Sequence, residues 1–190
     1  MKDATAALEV IATWNPEAIC TGIDLSDAAR ACLAASPAAP AWLAALLRAG
    51  CGHDAVIFLA HALPRAQAVR WACDCVEAAG AAGSTPAAHV AVSTARAWAS
   101  MPDAARCTDA ARAADVATLD TESAARFAAF AAAWSGESLA PEGQPVVAPA
   151  PALGARAVAA AVRLAAALGD PAGMRARLDD FIGRGMLRAA

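Results

Sequence analysis

Tyrosine is absent from this 190-residue chain, lysine occurs once, and the other large rings amount to four Phe and five Trp. Acidic side chains outnumber basic ones 18 to 15. The basic, aromatic footprint of a nucleic-acid binder is therefore missing over most of the chain, and no nucleic-acid partner is expected. Also lacking is an uninterrupted apolar run of about 20 residues, the length a membrane-spanning helix needs. The two longest uncharged stretches are broken, Ala78 to Ala95 by Gly80, Gly83 and Pro86, and Ala31 to Leu47 by Pro37 and Pro40. Asp3 and Glu9 stand where a signal peptide needs a basic start and a clean apolar core, so a cytoplasmic protein with no membrane partner is expected. Six Cys in a chain of this length are too sparse for a secreted disulfide scaffold and read as reduced core thiols.

What is abundant is alanine. The 59% hydrophobic fraction resolves into 62 Ala, 6 Cys and only 44 larger apolar residues. Alanine has the highest helix propensity and loses no side-chain entropy on folding, so the composition predicts an all-α protein. With so few large side chains, the helices must pack close, Ala against Ala.

Proline and glycine mark the helix boundaries, Pro at the first helical positions and Gly just past the last. This reading places helices over about Ala4 to Thr13, Pro16 to Gly22, Ser26 to Ala35, Pro40 to Gly50, Gly52 to Leu63, Pro64 to Gly80, Thr85 to Ser100 and Pro102 to Ala117. Another opens at Thr121-Glu122 and ends at Ser135-Gly136. Glu137 to Pro151 holds four prolines and reads as an extended connector. Two helices follow, about Leu153 to Leu168 and Pro171 to Leu187, the second interrupted by Gly183 and Gly185. The expected architecture is one domain, an irregular stack of about eight to ten short antiparallel helices. Residues 1–136 form the stack, 137–151 the connector and 152–190 a C-terminal helical hairpin. The sixth helix carries two adjacent apolar stripes that meet at Ala72, leaving only Arg70, Asp74 and Glu77 as a polar strip with internal pairing distances, which places it near the centre.

Zn²⁺-binding residue types gather at Cys51, His53, Asp54, His61, Cys73, Cys75 and His89, but their spacing opposes a shared ion. On one helix His53 and His61 lie about 12 Å apart, and Cys73 and Cys75 point about 200° away from each other. A site assembled from distant helices, such as Cys51 with His89, stays open. G-x-S-x-G, Walker A, G-x-G-x-x-G and paired Glu-x-x-His motifs are all missing, so neither a catalytic residue nor a cofactor is assigned. Charge is uneven along the chain: residues 156–190 hold six Arg against three Asp, enough to meet an acidic partner. Trp14, Trp42, Trp71, Trp98 and Trp134 read mostly as core, with one or two as interface anchors.

Three segments, AVIFLAHALPRAQAVRWACDC (Ala55 to Cys75), AAFAAAWSGESLAP (Ala128 to Pro141) and ARAVAAAVRLAAALGDP (Ala155 to Pro171), resemble a family of small uncharacterised bacterial helical proteins over roughly residues 54–190. Val69-Arg70-Trp71 departs from the more aromatic Val-Trp-Trp run that family shows, and the first 50 residues carry no resemblance. The resemblance implies a setting in gene clusters for type VI secretion and its effector-loading proteins, with no catalytic residues to carry over. It singles out Pro64, Arg65, Arg70 and Trp71, then Trp134, Ser135, Gly136, Leu139 and Pro141, as candidate contact residues. The leading expectation is a non-catalytic cytoplasmic interaction protein, an adaptor, chaperone-like or regulatory accessory that binds a protein partner. The alternatives are a Cys/His-dependent enzyme or metal-binding protein, and an immunity protein against a toxin.

Overall fold

A computed structural model describes residues 2–81, 85–117, 123–140 and 144–190. Within them lie eleven α-helices: α1 (Lys2–Ile11), α2 (Pro16–Ile19), α3 (Asp27–Ala35), α4 (Ala39–Arg48), α5 (Gly52–Ala62), α6 (Arg65–Ala78), α7 (Pro86–Ser100), α8 (Ala104–Ala117), α9 (Ala124–Ala133), α10 (Leu153–Ala167) and α11 (Met174–Leu187). No strand occurs among the described residues. The protein is all-α, with α2 a single turn that takes the number one past the expected range.

Local chemistry sets these boundaries. The Ser26, Thr85 and Ser123 hydroxyls accept the backbone N–H of Ala29, Ala88 and Arg126, capping α3, α7 and α9. Gly50 and Gly80 end α4 and α6 at φ +75°, a conformation costly for any residue with a Cβ; α2 stops earlier than expected, at Ile19, and Gly22 with the same φ lies in the turn beyond it. The Thr121-Glu122 start expected for the ninth helix lies outside the described residues; Ser123 caps the helix that is seen.

Two kinds of core meet along α5, α6, α10 and α11. On the N-terminal side large side chains fill the space: Ile11, Trp42, Leu43, Leu46, Phe58 and Leu59 are fully buried. Phe58 takes Trp42 and Trp14 edge-on, at centroid distances of 4.8 and 5.8 Å. Asp54, in the first turn of α5, accepts both the N–H and the hydroxyl of Ser26 at 2.9 Å, which fastens the start of α3 to the start of α5. On the other side the core is alanine: α9 buries seven Ala and packs on α6, α7, α8 and α10. The buried side chains of both regions form one continuous cluster.

Two expectations about α6 and α11 need correction. Gly183 and Gly185 do not interrupt the last helix, which runs unbroken from Met174 to Leu187 after a 3₁₀ turn at Pro171–Gly173. Gly185 makes room instead: a Cβ there would sit 2.7 Å from Cε2 of Trp71, whose indole N–H donates to the Phe181 carbonyl at 2.7 Å. The polar strip of α6 also pairs outward rather than along its own helix. Asp74 accepts from Arg96 of α7 at 3.0 Å and from Arg188 just past α11, Glu77 accepts from Arg96 at 2.7 Å, and Arg70 donates to the Ala99 carbonyl at 3.2 Å. The strip therefore ties α6 to α7 and to the C-terminus.

Candidate functional site

Of the residues singled out by resemblance, those near the end of α9 and the start of α6 come together. Trp134 closes α9 and stacks on Phe130 at 4.5 Å, with the Arg126 guanidinium 5.0 Å from the centre of the Phe130 ring. Ser135 is buried; its hydroxyl donates to the Ala131 carbonyl at 2.6 Å, and its own carbonyl accepts from Arg65 at 3.2 Å. Gly136 fits against Cys107, whose sulfur a Cβ at that position would approach to 2.5 Å. Beyond it the Ser138 hydroxyl accepts from the N–H groups of Ala140 and Val147, and Leu139 N–H donates to the Val147 carbonyl at 2.8 Å. These bonds tie a Pro-rich strap, the irregular residues 145–150, to the segment that follows α9. The strap leads into α10, where Gly154 backs onto Ser135: a Cβ there would lie 2.5 Å from the Ser135 hydroxyl oxygen.

The result is a two-lobed cleft along α10. The strap lobe, about 140 Å³, lies between Arg65, Trp134, Ser135 and the run Pro149 to Pro151. The second lobe, about 350 Å³, opens between α10 and the Ile19–Asp24 turn, with Ile57 and Ile23 among its lining. His61 borders both lobes. Its Nδ1 donates to the Ile57 carbonyl at 2.8 Å.

The remaining candidates lie elsewhere. Pro64 is the exposed residue before α6, Arg70 is half-buried against the end of α7, and Leu139 is 43% exposed on the strap side. Trp71 is fully enclosed between α6 and α11 and offers nothing to a partner. Pro141 lies outside the described residues. Sequence reasoning missed Gly154 and the Ile19–Asp24 turn, and took the arginines of α10 only as part of the basic excess of residues 156–190. Arg156, Ala159, Ala160 and Arg163 follow an i, i+3, i+4, i+7 pattern that marks one helix face; the turn has no comparable signal, since its partner helix is more than a hundred residues away.

Burial pushes the Cys73 thiol up to about 12 and the Cys75 thiol higher still. Burial, with the Asp54 charge adding to it, holds Cys20 up at about 11. Among the described residues no three His, Cys, Asp or Glu side chains stand close enough to hold a metal ion. His53, exposed on α5, has its pKa lowered by partial desolvation and then by the Arg163 charge. Native-state alkylation at about pH 8, read by mass spectrometry, is expected to modify the half-buried Cys32 and Cys51 first. Cys73 and Cys75 are expected to react only on unfolding; rapid modification of either in the folded protein would contradict this thiol chemistry.

Residues 42–189 match the family described as "Family of unknown function (DUF6931)". The chain belongs to that family. The match begins twelve residues before the resemblance read from the three segments and takes in every part of the cleft except the Ile19–Asp24 turn. No curated protein and no solved structure matches the chain. Among the described residues of this family member, no helix is long and apolar enough to cross a membrane.

Proposed function

We propose that this chain is a non-catalytic protein-interaction module, acting in the cytoplasm as an adaptor or chaperone-like accessory of a type VI secretion cluster. The strap carries the interaction reading. Val146 is 75% exposed, Val147 53% and Leu139 43%, and the backbone bond from the Leu139 N–H to the Val147 carbonyl sets their two segments side by side. Apolar side chains held in solvent on a proline-stiffened segment suit a protein surface better than a small substrate, because the stiff segment has little conformational entropy left to lose. The elevated thiols support a non-catalytic role. The secretion setting rests on the resemblance of the three segments.

Purification of the tagged full chain from its native cells, followed by mass spectrometry, tests this reading. The wild type is expected to retain one stoichiometric partner encoded in a secretion cluster. Val146→Asp with Val147→Asp, and separately Ala155→Glu in the strap lobe, are expected to lose it while circular dichroism stays unchanged. A partner encoded elsewhere would remove the secretion assignment and leave the module. No partner on the wild type, or one indifferent to all three substitutions, would overturn the module itself.

A further inference from the structure

The larger lobe has a chemistry of its own. Arg156 and Arg163 stand two turns apart on α10, about 10 Å along the axis, and both line the lobe. Between them on the same face are Ala159 and Ala160, whose small side chains let a ligand approach the helix. Both arginines are exposed, and neither forms an ion pair among the described residues, whereas Arg65, Arg70, Arg96 and Arg188 each reach a carboxylate or a carbonyl. The carboxylate on the rim, Asp24, already faces Arg30 at 3.9 Å. Opposite the arginines, Ile19, Ile23 and Ile57 supply an apolar wall. Two uncommitted guanidinium groups flanking an apolar slot complement a ligand with two carboxylates flanking an apolar side chain.

We infer that the lobe between α10 and the Ile19–Asp24 turn binds an acidic, apolar peptide segment of a partner protein. Its carboxylates lie about 10 Å apart, the span of three residues in a polyproline II chain, whose three-residue turn brings both to one face. An apolar side chain between them enters the isoleucine-lined slot, and the carboxylates pair with Arg156 and Arg163. This rests on the interaction-module reading and gives the partner a chemistry. The contrast with the rest of the molecule favours it: residues 1–155 carry a net excess of acid, so an acidic segment is repelled by most of the surface and drawn to α10.

Selection from a displayed library of random peptides about twelve residues long, on the immobilised full chain, tests the inference. The enriched peptides are expected to carry two acidic residues three positions apart with an apolar residue between. Arg156→Gln with Arg163→Gln is expected to weaken them about tenfold without altering the circular dichroism, equivalent to about 1.4 kcal/mol. Raising salt from about 50 to about 200 mM is expected to weaken wild-type binding and affect the double variant little. Enrichment of neutral or basic peptides, no enrichment, or acidic peptides indifferent to the double variant would overturn the inference. If the cellular partner is lost with Val146→Asp and Val147→Asp but kept by the arginine variant, the acidic groove fails and the module stands. If acidic peptides bind through the two arginines but no cellular partner is found, the groove stands and the module fails.

Discussion

Trp71→Ala is expected to lower the unfolding free energy by about 3–5 kcal/mol, measured by urea denaturation. The indole is fully buried, its N–H is bonded to the Phe181 carbonyl at 2.7 Å, and its six-membered ring lies where a Cβ on Gly185 would need to be. Truncation leaves a cavity between α6 and α11 that neither rigid helix can collapse to fill. Trp71→Phe separates the contributions: it keeps most of the volume and gives up the hydrogen bond, worth about 1 kcal/mol. Gly185 supplies the sharper test, because two effects of opposite sign meet there. Alanine gains about 1 kcal/mol of helix propensity over glycine, but in the wild type its methyl group would lie 2.7 to 3.0 Å from three indole atoms. Overpacking of that kind costs about 1–3 kcal/mol. Gly185→Ala is therefore expected to destabilise the wild type and to stabilise the Trp71→Ala variant, a change of sign that a double-mutant cycle reads directly. The same cost in both backgrounds would mean that the indole does not fix the position of α11.

That pair also shows why part of the fold was legible in the sequence and part was not. Helix ends are local chemistry. Ser26, Thr85 and the glycines at 50 and 80 act within a turn of themselves, and each ends or begins a helix where the pattern predicts, whereas α2 stops at Ile19, short of Gly22. Gly185 carries the same one-letter signal as those glycines, yet it lies inside a helix, and only a side chain 114 positions away in sequence explains it. Asp74 is the polar counterpart: its spacing from Arg70 permits an intrahelical pair, but Arg96 and Arg188, 22 and 114 residues away, take the carboxylate. The same division runs through the cleft. Arg65, Trp134 and Ser135 could be named from the resemblance, and the hydrogen bond across 70 residues that joins Arg65 to Ser135 could not. Gly154 and the Ile19–Asp24 turn acquire a role only once α10 lies against its neighbours, because periodicity records which face of a helix is covered and not what covers it.

The alanine-rich half should lose stability on enlargement as the aromatic half does on truncation, and Gly154 is where this is easiest to see. A Cβ at 154 would lie 2.5 Å from the Ser135 hydroxyl oxygen, 3.4 Å from the Trp134 carbonyl oxygen and 3.5 Å from that of Ala131. The hydroxyl has little freedom to withdraw, since it is bonded to the Ala131 carbonyl at 2.6 Å inside a buried corner. Gly154→Val is therefore expected to cost about 1–3 kcal/mol in urea denaturation and to push the start of α10 away from the end of α9. Such a shift widens the strap lobe, so binding through the strap should weaken along with stability. Ser135→Ala removes the oxygen that Gly154→Ala would strike. The double variant is accordingly expected to be more stable than Gly154→Ala alone, even though Ser135→Ala by itself gives up a buried hydrogen bond worth about 1 kcal/mol. Strictly additive losses would show that contact between the two positions does not hold α9 against α10, and the cleft would then owe its shape to the strap. Compensation would mean that a single oxygen and a missing methyl group set the spacing of the end of α9 and the start of α10, which together form one wall of the strap lobe.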